Sequence, residues 1–91
     1  METIITYDTS GKHSEFKNEM KKLGYKDRIK GIKNCEWIYF PNTTLYHAIK
    51  SPHNANEDAL EICRKLNIKL ERYFSTTWNR DNWWAICGDS F

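Results

Sequence analysis

The run Thr-Ile-Ile-Thr-Tyr-Asp from Thr3 to Asp8 is β-branched and aromatic, with apolar side chains on both of its alternating faces. A short run of this kind reads as a central strand covered on both sides, and it places a sheet at the start of the fold. Turn-forming residues occupy Thr9 to Lys12. Phe16, Met20 and Leu23 then recur at i, i+4 and i+7, and Gly24 stands just past the last of them. That spacing predicts an amphipathic helix closing on Gly24.

Tyr25 to Asn34 is polar and basic apart from Tyr25, Ile29 and Ile32, and is expected to be a loop or an irregular edge strand. Glu36 to Phe40 and Thr44 to Ile49 are strand-like runs around Pro41 and Asn42. Proline presets the first turn dihedral and asparagine tolerates the second, so the two runs are expected to pair as a tight hairpin. Asn54 to Glu57 has the polar-then-acidic pattern of a helix start, and Ala55, Ala59, Ile62, Cys63 and Leu66 line one face of the helix that follows. Leu70 to Thr77 alternates in places as a strand does, Asn79 to Asn82 turns the chain, and Trp83 to Cys87 is expected as a short last strand before a tail from Gly88 to Phe91.

Strand, helix, hairpin, helix and strand in that order place both helices on one face of a mostly antiparallel sheet. The expected fold is α+β, a ferredoxin-like βαββαβ sandwich with an additional C-terminal strand. Ninety-one residues suffice for one such domain, spanning 1–91. Four Trp, five Tyr and four Phe are more rings than one helix-covered sheet face can hide. A homodimer through the open sheet face is therefore expected, with Trp83, Trp84 and Ile86 at the interface.

No stretch approaches the roughly 18 consecutive apolar residues of a membrane span, and the first residues read as a strand instead of a cleavable signal. A cytoplasmic protein with no membrane partner is expected. Cys35, Cys63 and Cys87 are odd in number and far apart, which fits neither a disulfide framework nor paired zinc ligands, so three reduced thiols are expected.

The formal net charge is only +2, but its distribution is uneven. Eight Lys or Arg lie between Lys12 and Lys33 against Glu15, Glu19 and Asp27. Within this segment Lys21, Lys22, Lys26, Arg28 and Lys30 are the candidates for holding a phosphodiester backbone of RNA or DNA, and a solvated helix face followed by a lysine-rich loop is the plainer account. Tyr39, Tyr46, Tyr73, Trp78, Trp83 and Trp84 are able to stack on bases, although core packing and a subunit interface explain the same rings. His47 is the histidine best placed for proton transfer, since it lies in an expected strand.

The strand Ile4 to Asp8, the Leu23-Gly24 helix end and the Pro41 to Leu45 segment resemble the CRISPR-associated small nuclease family and its VapD-type and SinR-like relatives. The resemblance covers most of the chain. In that family the aspartate at the exit of the first strand meets its dimer mate around a divalent metal, and the last strand crosses to the partner subunit. By resemblance, Asp8 is a catalytic metal ligand for Mg²⁺ or Mn²⁺, and the chain is a metal-dependent endonuclease hydrolysing RNA or DNA. A hard cation of this kind takes oxygen ligands and activates water against a phosphodiester. Capping the turn or the first helix is the plainer account of Asp8. The competing function is a non-catalytic protein-interaction module, for example a phage-encoded inhibitor of a host defence complex, in which the same basic loop and rings meet a protein partner.

Overall fold

Strand β1 (Thr3–Thr9) lies at the centre of a three-stranded antiparallel sheet, between β4 (Thr44–His47) and β5 (Leu70–Thr77). The computed structural model describes residues 1–31 and 35–88. Ile5 is opposite Leu45 on one side and Ser75 on the other, so Thr3, Ile5, Tyr7 and Thr9 share one face while Ile4, Thr6 and Asp8 share the opposite one. The first face is covered by α1 (His13–Lys22) and α2 (Pro52–Leu66), whose Phe16, Met20, Ala55, Ala59, Ile62 and Cys63 join Ile5, Tyr7 and Leu45 in one core cluster. Ile5, Phe16, Met20 and Leu45 have no exposed surface. Burying each side chain contributes about 1.5–3 kcal/mol. The α+β class and the placement of both helices on one sheet face follow the sequence expectation.

Helix α1 ends as expected: the backbone enters Gly24 at φ 99°, a conformation that a side chain rarely adopts. Helix α2 starts earlier than expected. Ser51 accepts the Asn54 N–H at 3.2 Å and Pro52 takes the first helical position, where its missing N–H costs nothing. Asp58 consequently sits beyond the first turn, where it accepts from the Tyr25 hydroxyl at 2.8 Å and from Lys50 at 2.6 Å.

Two strand expectations are corrected. β3 (Trp37–Tyr39) pairs with β2 (Arg28–Lys30) in a separate two-stranded sheet, while β4 pairs with β1. The turn at Pro41 exists, with the Thr44 N–H donating to the Pro41 carbonyl at 2.9 Å, but it links strands of different sheets instead of closing a hairpin. The physical reason is burial. Ile38 is buried opposite Ile29 in the small sheet, whereas Leu45 is buried opposite Ile5 in the core cluster beneath the helices, so each strand joins the sheet that covers its inward residue. Trp83 to Cys87 form no strand. The β5 ladder finishes where the Trp78 N–H donates to the Glu2 carbonyl, and an Asx turn at Asn79, which accepts the Asp81 N–H at 2.9 Å, takes the chain away from the sheet edge.

The cysteine expectation is also corrected, since Cys35 and Cys87 form a disulfide. The loop it closes spans 52 residues, a separation that gives no pairing signal in sequence. Cys63 is free and buried on α2, and burial pushes its thiol pKa up. Among the described residues no helix is long and apolar enough to cross a membrane. The end of the basic loop, with Ile32 and Lys33, and the tail beyond Gly88 lie outside the described residues.

Candidate nucleic-acid interface

Among the described residues one backbone bridge joins the short sheet of β2 and β3 to the main sheet: Lys26 and Tyr46 exchange hydrogen bonds of 2.9 and 3.0 Å along the outer edge of β4. This attachment leaves a groove of about 500 Å³ between the two sheets. Lys21, Lys26, Arg28 and Lys30 line it together with Trp37, Tyr46 and Arg80. Four of the five basic residues expected from the sequence therefore converge. Lys22 does not line the groove; it reaches back along α1 to Glu19 at 2.8 Å.

The charges in the groove are unequally neutralised. Lys21 pairs with Asp27 at 3.0 Å, and Arg80 is bidentate on Glu2 at 2.9 Å for both contacts. The hydrogen bond from Arg80 holds the Glu2 carboxyl below the usual carboxylate range. Among the described residues Lys26, Arg28 and Lys30 have no ion-pair partner. The heads of Arg28 and Lys30 are held instead by rings. The Arg28 guanidinium lies 4.7 Å from the Trp37 ring centre and 5.7 Å from that of Tyr39, and the Lys30 ammonium lies 5.5 Å from Trp37. Each such contact is worth about 0.5–1 kcal/mol at an exposed site and leaves the charge available to an anion. Opposite, Arg80 stacks 3.7 Å from the Trp78 ring centre, and Trp78 meets Tyr46 edge-on at 5.4 Å. Sequence reasoning missed Arg80 because its place in the groove depends on Glu2, 78 residues away in sequence.

Asp8 lies on the sheet face opposite the helices, directly across from Arg72 of β5, and Arg72 Nε donates to its carboxylate at 2.7 Å. A register shift between Asp8 and Thr9 bulges the sheet at this point. Asp8 therefore caps neither the turn nor α1. The residue at the start of α1 is Lys12, in the left-handed region at φ 49° and without a side-chain cap, while Thr9 Oγ1 is 3.2 Å from His13 Nδ1. No group of three His, Cys, Asp or Glu side chains able to hold a metal occurs among the described residues. One chain's Asp8, already occupied by a guanidinium, does not by itself make a seat for Mg²⁺ or Mn²⁺.

His47 is buried, and both ring nitrogens are used. Nε2 donates to the Leu23 carbonyl at 3.0 Å, and Nδ1 accepts the Ile49 and Lys50 N–H groups at 3.2 Å each. The partners define the neutral Nε2–H tautomer and leave no lone pair or proton for a substrate. The histidine ties the end of α1 to the exit of β4.

On the outer sheet face Trp83 packs on Trp78 with ring centres 5.6 Å apart, whereas Trp84 and Ile86 are 93% and 78% exposed. These residues, with Ile4, Ile38, Phe40, Pro41 and Thr44, line a second groove of about 570 Å³ that is largely apolar. Phe74, on the uncovered part of the same face, is also exposed.

No protein-family model matches the chain, and comparison with curated proteins and with solved structures gives no match.

Proposed function

We propose that the chain is a ferredoxin-like domain that binds single-stranded RNA or DNA through the groove between its two sheets. The observation that carries this reading is the convergence of Lys26, Arg28 and Lys30, without ion-pair partners among the described residues, on one groove walled by Trp37 and Tyr46. Three such cations suit three successive phosphates, and the rings offer faces for unpaired bases, which a duplex keeps stacked away. The sheet order β5-β1-β4, with Lys26 bridging the outer edge of β4, is compatible with a ferredoxin-like sheet whose fourth strand has shrunk to one bridge.

The test is fluorescence anisotropy with a labelled oligothymidylate and a matching duplex over a range of salt concentrations. Three contacts with a single strand give a slope of log affinity against log salt of about 2, at about 0.7 per phosphate. Preference for the duplex, or affinity indifferent to salt, overturns the reading. Metal-dependent cleavage is a narrower form of it. It requires the Asp8 carboxylates of two subunits to leave their Arg72 partners, and its signature is cleavage of the same oligonucleotide on adding Mg²⁺ or Mn²⁺, lost in Asp8→Ala.

The exposed Trp84 and Ile86 favour a homodimer through the outer sheet face, since large exposed apolar side chains beside an apolar groove mark interaction surfaces. Light scattering is expected to give twice the monomer mass, and Trp84→Ala with Ile86→Ala to give the monomer. A wild-type monomer at micromolar concentration refutes the dimer and leaves these residues to a different protein partner, as in the interaction-module reading.

A further inference from the structure

The groove has one wall that is weakly built. Two-stranded sheets are marginal on their own, and among the described residues the backbone of β2 and β3 meets the main sheet at the Lys26–Tyr46 bridge at their base, where the Lys21–Asp27 ion pair and the Phe40 ring against Tyr46 and Trp78 also hold them. At the other end of this small sheet the Gly31 N–H donates to the Glu36 carbonyl at 2.8 Å, and there Cys35 is bonded to Cys87. Cys87 belongs to the segment after Trp83, which lies over the outer face of the main sheet near Ile4 and Thr44. Among the described residues no backbone hydrogen bond fixes 83–88. The disulfide thus fastens the far end of the wall that carries Arg28, Lys30 and Trp37, and fastens it to the segment that continues from Arg80 on the opposite wall.

We propose that the Cys35–Cys87 disulfide is a redox latch on this groove: oxidation assembles the groove, and reduction frees the β2–β3 wall and lowers affinity for the ligand. The inference rests on the nucleic-acid reading for the ligand, though not for the opening itself. Cys87 is exposed and Cys35 half-buried, so a reductant reaches the bond without unfolding the core. Exchange with a dithiol donor balances simply. A donor thiolate attacks one sulfur, a mixed disulfide forms as the other cysteine leaves as a thiolate, and the donor's second thiol displaces the first cysteine. Two electrons and two protons pass to the chain, and the donor departs as its own disulfide. Cys63 takes no part, because it is enclosed on α2 and its thiolate is disfavoured there. The loss on reduction is one of preorganisation: the same cations remain, but the wall that aims them must be ordered at each binding event.

The experiment compares the oxidised full-length chain, the chain reduced in native buffer by dithiothreitol, and Cys87→Ser. Two readouts are taken on each: anisotropy of labelled oligothymidylate, and amide hydrogen exchange at Ile29 and Ile38 with Ile5 as the internal reference. The latch predicts affinity about tenfold lower in the reduced chain and in Cys87→Ser, recovery on reoxidation of the wild type, and faster exchange at Ile29 and Ile38 with Ile5 unchanged. Unchanged exchange in β2 and β3 overturns the latch, as does equal affinity in both redox states. Faster exchange on reduction without oligonucleotide binding in either state upholds the opening while refuting the nucleic-acid reading. Loss of protection at Ile5 as well identifies a staple of the whole fold and overturns the latch; Cys35→Ser, which breaks the same bond from the other side, must reproduce whichever result is obtained.

Discussion

Arg28→Glu combined with Lys30→Glu is expected to weaken binding of single-stranded oligonucleotide about 100-fold. Each residue removed forfeits a charge-assisted contact of about 1.5 kcal/mol, and two of them together correspond to about two decades in affinity. The salt slope is expected to fall with them, from about 2 towards about 0.7, since one phosphate contact remains at Lys26. Thermal stability changes little by comparison, because what is lost from the fold is the ring contacts of Arg28 with Trp37 and Tyr39 and of Lys30 with Trp37, worth about 0.5–1 kcal/mol each. Lys22→Gln is the matched control. Its ammonium faces Glu19 and not the groove, so its affinity and slope are expected to equal those of the wild type. A loss in Lys22→Gln as large as in the double variant means that general positive charge, and not the groove, attracts the ligand.

Gly24→Ala is expected to cost about 3 kcal/mol of stability. Gly24 holds φ 99°, where a residue bearing a Cβ is strained by about 1–3 kcal/mol. Its added carbon would also lie 2.8 Å from His47 Nε2, the atom that donates to the Leu23 carbonyl. Moving the ring away breaks that bond and disturbs the two that Nδ1 accepts, at about 0.5–1.5 kcal/mol for each bond lost. In a domain of this length the total lowers the melting temperature by about 10–20 °C, which circular dichroism measures directly. The clash and the strain separate in a cycle with His47→Ala. If both act, the double variant is less damaged than the sum of the singles; strict additivity would assign the whole cost to backbone strain.

The elements whose residues meet their partners locally were legible in the chain itself. The β-branched run at Ile4 and Ile5 makes the central strand whatever pairs with it, and Phe16, Met20 and Leu23 with Gly24 define the first helix and its end through periodicity and one backbone preference. The basic segment was likewise visible as composition, and the groove takes four of its five candidates. Ser51 and Pro52 carried a readable helix start, with its cap three residues ahead of Asn54, so that error lay in the weighing of cap signals and not in a missing one.

Strand partners, cysteine partners and the electrostatic state of each side chain were decided by tertiary structure. Trp37 to Tyr39 and Thr44 to His47 have equally good strand patterns on either side of a good turn, and nothing local says that Ile38 finds Ile29 while Leu45 finds the helices. Asp8 at a strand exit suits a cap or a metal ligand, but strand pairing set Arg72, 64 residues away in sequence, directly across from it. His47 was the best-placed base by strand position alone, but its Nδ1 is taken by the N–H groups of Ile49 and Lys50 just after it and its Nε2 by the Leu23 carbonyl that the fold brings up from the end of α1. Cys35 and Cys87 carry no spacing signal, and the return of the chain across the outer sheet face is what brings them together. Propensity and periodicity act over one or two turns of chain and are written residue by residue. Pairing, charge neutralisation and disulfide formation depend on which distant surfaces the packing of the core brings into contact.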